Sequence, residues 1–462
     1  MKNKLTELYL TLDKKQLRQL KKWIQSPLHN MHQDVQSLFL YLLSRREITT
    51  TIVQKEHIWG QLFRDLVYND QRMRHILSMA LSILQDFVRY YLYAKDVFYQ
   101  EKKYTQYLFE QQLDKRGQKN WLKAQQILTH TPTDEWYYFH QYELEVLLFE
   151  VEGTQDRTGE TNLMAILDNA RLFFMITTLR YAYIALSHQN LRKVEYEIPL
   201  LDGILTEVKT KNYSAYPVLQ IYYHAYYTLK DPEKSEHFKL LRNYLYQENL
   251  PPKEKRATLL ICVNYAIKQV NVGKIDYARA ALELYQYGLK STCLLEEGEL
   301  SAFAYKNIVT LGLNLKEYDW IEYFITNYSQ YLPAHLQESY QHYNTAKLAF
   351  DKGDFEQAMT LLIQAEYNEL ILNIGAKVML LKIYYQENHY NALEALLDSF
   401  RVFLNRKKVL AYHKTNYMNL ILYTRKLLHF TADKSAIDKL KDEINATLRL
   451  AERKWLLEQL YN

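Results

Sequence analysis

The side chains able to do chemistry are scattered along the chain rather than assembled. His29 and His32 lie three apart beside the Ser26-Pro27 turn, and His335 and His342 lie seven apart, a spacing that could put them on one helix face. A metal centre needs three or four convergent ligands. Neither pair brings a third, so both are expected to be surface histidines. Cys262 and Cys293 sit among apolar neighbours. Such cysteines are usually small buried hydrophobes and suit a reducing compartment. Glu296 and Glu297 are adjacent, and on a helix adjacent side chains diverge. With only 11 Gly in 462 residues, no Gly-rich phosphate loop can be found, nor a His-Glu-x-x-His pair or a nucleophile elbow. The expectation is a non-enzymatic chain that uses no metal and no cofactor.

Charge is the next source of chemistry, and it is uneven. Residues 1–130 carry 21 Lys and Arg against 12 Asp and Glu, and the remainder carries 37 against 41. A basic front part hints at an anionic partner, although the same balance is compatible with ordinary solvated surface. Arg72, Arg74, Lys102 and Lys103 are the candidate nucleic-acid contacts, because Arg72 and Arg74 open a helix that could enter a groove. No helix-turn-helix signature accompanies them.

These residues must be carried by helices. The chain has only 8 Pro beside its 11 Gly, too few breakers for a sheet protein of this length. Leu5, Leu8, Leu12, Leu17, Leu20 and Ile24 recur at helical spacing. Asp13 with Gln16 has the form of a capping box, and Ser26-Pro27 ends that helix. A helix over 34–45 follows. Residues 49–53 are β-branched and stand open between a short strand and a helix cap. A long helix from about residue 70 runs toward Leu113, and the polar segment 115–120, with Gly117, marks a helix end and a domain boundary. Further breaks are expected at 131–134, 153–162, 231–232, 250–252 and 332–333. The 42 Tyr suit the half-buried seams between packed helices. The start lacks a signal-peptide core, and no run reaches the roughly 18 apolar residues of a spanning helix. A soluble, cytoplasmic protein with no membrane partner is the expectation.

Self-similarity at 30–45 residues is the strongest pattern. Tyr318, Phe355 and Tyr390 are spaced 37 and 35 apart, each opening the second helix of a hairpin. The clearest unit has Ala346, Gly353-Asp354, Phe355, Ala358, Leu362 and Ala365; a second has Cys262, Ala266, Gly273, Ala278 and Tyr285. Small residues let two helices approach to about 8–10 Å. This pattern resembles the tetratricopeptide repeat, over 260–400 most clearly. Ile321 and Leu393 stand where that family keeps a small residue, which is expected to loosen those hairpins. The turn at Ser26-Pro27-Leu28-His29-Asn30, together with Asn69-Asp70-Gln71-Arg72-Met73-Arg74, resembles the front end of a group of uncharacterised bacterial proteins typical of Bacteroidota, which implies relatives but no activity.

The expected architecture is therefore all-α: a basic helical domain over 1–117, then a TPR-like α-solenoid of helical hairpins over 118–462. The tetratricopeptide resemblance implies a groove lined by the first helix of each hairpin. By position Lys306, Tyr343, Lys347, Lys382 and Tyr385 would line it and hold a protein or peptide, acidic in character. The leading expectation is a scaffold of this kind. The alternative is a regulator whose basic domain binds nucleic acid while the repeats sense a ligand.

Overall fold

The computed structural model describes residues 3–155, 161–192, 194–247, 250–364, 369–406, 411–429 and 434–461. Among the described residues the chain forms 23 α-helices and no strand. No helix among them is long and apolar enough to cross a membrane. The chain divides into two compact units, Met1–Thr178 and Leu179–Asn462, a division well beyond the boundary at 117 expected from the sequence.

The first unit contains α1 (Lys4–Tyr9), α2 (Lys14–Gln25), α3 (Gln33–Leu43), α4 (Lys55–Leu62), α5 (Asp70–Lys95), α6 (Val97–Glu110), α7 (Asp114–Thr129) and α8 (Glu135–Gln155), and the division falls within α9 (Leu163–Arg192). Asp13 and Gln16 form the capping box at the start of α2. Leu20, Ile24, Val35, Leu38, Phe39, Met73, Ile76 and Leu84 make one buried core from α2, α3 and α5. A smaller core joins Phe98, Ala124, Leu128 and Leu144.

Several expectations change here. Residues 50–53 are turns, so the β-branched run is not a strand. The long helix stops at Asp96, whose carboxylate accepts the Tyr99 N–H at 2.8 Å and so starts α6. Residues 115–120 are the opening turns of α7 rather than a helix end. Gly117 is there for packing: a Cβ at this position would stand 2.2 Å from Phe109 Cε1 where α6 and α7 meet. Gly153 lies in α8, and residues 156–160 of that expected loop fall outside the described residues.

The second unit continues with α10 (Leu201–Thr210), α11 (Pro217–Lys230), α12 (Glu236–Leu245), α13 (Pro252–Asn271), α14 (Asp276–Lys290), α15 (Ala302–Asn314), α16 (Tyr318–Tyr328), α17 (Gln337–Lys352), α18 (Phe355–Gln364), α19 (Leu370–Gln386), α20 (Tyr390–Arg406), α21 (Ala411–Leu428), α22 (Lys434–Ala446) and α23 (Arg453–Glu458). From α11 to α21 each helix packs on the next, and α17 also packs on α15 and α19.

One turn geometry recurs at the hairpins. Lys274 N–H bonds Gln269 O, Glu317 N–H bonds Gly312 O, Asp354 N–H bonds Ala349 O, and His389 N–H bonds Tyr384 O, at 2.8–3.0 Å. Each is the six-to-one bond of a Schellman turn, which needs a left-handed residue just before it. Gly273, Lys316, Gly353 and Asn388 fill that position with φ of 93°, 58°, 85° and 59°. In the first unit the same bond runs from Leu113 N–H to Leu108 O at 2.9 Å, with Gln112 at φ 58°.

Ala266, Ala278, Ala346 and Ala358 are buried, as the pattern required; Ala365 lies outside the described residues. Ile321 does not loosen its hairpin. Gly312 on α15 faces it so closely that a Cβ there would stand 2.2 Å from Ile321 Cδ1. The small residue has moved to the other helix.

Candidate functional site

The expected binding row lies on α15, α17 and α19. On α15, Phe303, Lys306, Asn307 and Thr310 follow the three-and-four spacing that aligns side chains on one helix face. Lys306 is exposed and Phe303 is 73% exposed. Lys347 on α17 reaches back to donate to Thr310 Oγ1 at 3.0 Å. Burial pushes the Lys347 amine down to about 8, and the neighbouring Lys306 charge adds to this. Tyr343, one turn before Lys347, packs its phenol against α19 at Gly375, where a Cβ would stand 2.2 Å from the Tyr343 hydroxyl.

Lys382 and Tyr385 belong to the same row but already hold the chain's own C-terminal segment. Lys382 Nζ pairs with Glu452 at 2.6 Å and sits 5.9 Å from the Trp455 ring. Tyr385 meets Trp455 edge-on at 5.4 Å. The segment is anchored by Ala451 N–H to Asn416 O at 3.2 Å and by Asn419 Nδ2 to Arg449 O at 2.7 Å. Arg453 donates to the Ile444, Asn445 and Thr447 carbonyls at the end of α22. Leu456 is fully buried beside it. The Glu452 charge also acts on Lys347. The row thus has an open end, where exposed Lys306 stands beside half-buried Tyr343 and Lys347, and a filled end at Lys382 and Tyr385.

Sequence reasoning missed Phe303, Asn307 and Thr310, although their helical spacing about Lys306 was the available signal. It also missed the filling segment, which carries no repeat signature.

The candidate nucleic-acid contacts are mostly neutralised. Arg72 pairs with Asp34 at 2.9 Å and lies 4.5 Å over the Phe63 ring. Arg74 pairs with Asp70, whose carboxyl is held down to about 2 by Lys55 and Tyr68. Lys102 pairs with Glu143 at 2.6 Å with only 10% of its side chain exposed. Lys103 reaches Gln106 Oε1 at 3.1 Å.

Other reactive residues are engaged by neighbours in the chain itself. The His29 ring stacks on Trp23 at 3.4 Å. Cys262 is buried, and burial pushes its thiol up to about 12. Cys293 lies 3.1 Å from Ser291 Oγ. Glu296 and Glu297 sit in a turn rather than a helix, and Glu296 pairs with Arg256 at 2.7 Å.

Two buried polar clusters were not visible in the sequence. Glu254 is fully buried on α13. Its carboxylate accepts from Arg180 at 2.7 Å and from the Tyr222 hydroxyl at 2.7 Å, with Arg180 4.4 Å over the Tyr222 ring. His224 and His237 join α11 to α12 through their Nδ1 atoms at 2.8 Å. Burial and the facing His237 push His224 down to about 4. Tyrosine tips find partners at several such seams, as where Tyr265 donates to Pro232 O at 2.8 Å and Tyr287 to Leu245 O at 3.2 Å.

Comparison of the chain with protein-family models, with curated proteins and with solved structures finds no match in any of the three.

Proposed function

We propose that this chain is a non-enzymatic, TPR-like scaffold that holds a protein or peptide on the open end of the row, at Phe303, Lys306, Tyr343 and Lys347. The observation that carries this reading is the contact between Lys347 and Thr310. It joins successive first helices into one surface and leaves two amines side by side, one of them half-buried. Holding a charged amine away from water costs stability. A carboxylate-bearing partner would return that cost by favouring the charged form. The recurring Schellman turns, with small residues at the helix crossings, support the repeat reading, since stacked hairpins of one geometry make a continuous row of first helices. At the filled end, Glu452 on Lys382 and Trp455 on Tyr385 illustrate the chemistry this row accepts: an acid beside an aromatic ring. The ion-paired state of Arg72, Arg74 and Lys102 counts against the regulator alternative.

The test is affinity capture from the native host with the wild-type chain and with Lys306→Glu. Lys306 is exposed, so the substitution leaves the fold intact. Partner recovery should fall by roughly tenfold or more, in keeping with truncated charge pairs at interfaces. Equal recovery by both proteins would contradict the reading.

A further inference from the structure

We infer that the first unit carries a second interaction surface, the cationic face of α2 together with the apolar tip of the turn that follows it, and that this surface binds an anionic lipid bilayer. The inference stands apart from the groove reading.

The α2 sequence is KKQLRQLKKWIQ, with five cations and no acid. At 100° per residue, Lys14, Lys15, Arg18, Lys21 and Lys22 span only about 120° of the helix circumference. All five are exposed, while Leu20 and Ile24 face the core. The nearest acid in sequence, Asp13, is already engaged by the Lys15 and Gln16 N–H groups at 2.7 Å.

At the C-terminal end of α2 the turn over 26–31 is held firmly. Buried Asn30 donates Nδ2 to Ile24 O at 2.9 Å and accepts from His32 N–H at 2.9 Å. The His29 ring is clamped on Trp23, with Tyr90 4.9 Å from Trp23 and itself 53% exposed. This fixed turn presents Leu28 and Met31, each 85% exposed.

A single exposed apolar residue is unremarkable. Two on one ordered turn, beside half-exposed aromatic rings and a cationic face to which α2 contributes no acid, match the chemistry of an interfacial binder. Such elements place cations against anionic headgroups, aromatic rings at headgroup level and apolar tips at the acyl boundary. They need no spanning helix. A nucleic-acid backbone would satisfy the cations but offer Leu28 and Met31 nothing to enter.

The experiment is co-sedimentation of the full chain with phosphatidylcholine vesicles, with and without phosphatidylserine, across a salt series. The expected result is binding only to vesicles with phosphatidylserine, weakening as salt rises. Lys21→Glu with Lys22→Glu should reduce it by about tenfold or more, and Leu28→Ser with Met31→Ser by about tenfold. Circular dichroism of each variant checks that helix content is retained, and Lys14→Glu with Lys15→Glu provides a second charge-reversed pair. Absence of binding to either vesicle, or equal binding to both, overturns the inference. So does binding to short duplex DNA that falls with the charge reversals while Leu28→Ser with Met31→Ser changes neither DNA nor vesicle binding.

Discussion

Lys347 holds its charge where the fold disfavours it. Its amine falls to about 8 from an ordinary 10.5, so it is still charged at pH 7 but the fold disfavours that charge relative to the unfolded chain. Above pH 10.5 the depressed value has no effect on stability; as pH falls through 10.5 toward 8 a cost for the charge grows, and below about 8 it is present in full. Lys347→Met should therefore raise the unfolding free energy at pH 7 by about 1–2 kcal/mol after solvent screening, while weakening partner capture. Urea unfolding at pH 7 checks the first half; a loss of stability would contradict it. His224 behaves in a related way. Its folded value of about 4 lies below the ordinary 6.5, so the neutral pair with His237 stabilises fully above pH 6.5, and that contribution is lost as pH falls toward 4. Asp231, Glu236 and Lys234 surround His237, with burial the larger influence. Unfolding curves at pH 7.5 and 5 should differ in this direction, and His224→Asn should flatten the difference. Neither residue announced its state in the sequence, because burial and the facing partner come from other helices.

At the scale of the element, the hairpin turn is what the sequence made legible, and Gly353-Asp354 is the case in point. Gly at a helix end followed by an acid implies a left-handed residue and a new cap. Gly353 is left-handed, and Asp354 accepts the Gln357 N–H at 3.0 Å. The same turn was less visible at Lys316 and Asn388, where no glycine marks it. A left-handed conformation is unfavourable for a residue with a Cβ, so Lys316→Gly should stabilise by about 0.5–1 kcal/mol, and Gly353→Ala should destabilise by a similar amount, both read as shifts in the urea midpoint. Gly117 and Gly312 show why helix ends and crossings were misread. Glycine serves both at a C-terminus and at a close crossing, and only the neighbouring helix, with Phe109 or Ile321, distinguishes the two. Gly312→Ala should cost about 1–3 kcal/mol through overpacking, and Ile321→Ala in the same chain should recover part of it. Additive losses would deny that the two residues share one space.

For the whole molecule, the helical class followed from sparse breakers, whereas the filling of the row did not. Lys382 and Tyr385 lie on α19, yet their occupant comes from about 70 residues later, where Glu452 and Trp455 lie in a segment without periodic pattern. Contacts of such separation leave no local trace in one sequence. The buried Glu254 cluster is equally silent, since Arg180, Tyr222 and Glu254 come from three helices. The central claim is that a partner occupies the open end of the row. Its most direct measurement is photo-crosslinking in the native host with benzoylphenylalanine at position 303, one turn before Lys306, and at the exposed turn position 272 as control. The account predicts a discrete partner adduct from position 303 that disappears with Lys306→Glu, and none from position 272. No adduct from 303, or the same adducts from both positions, would contradict it.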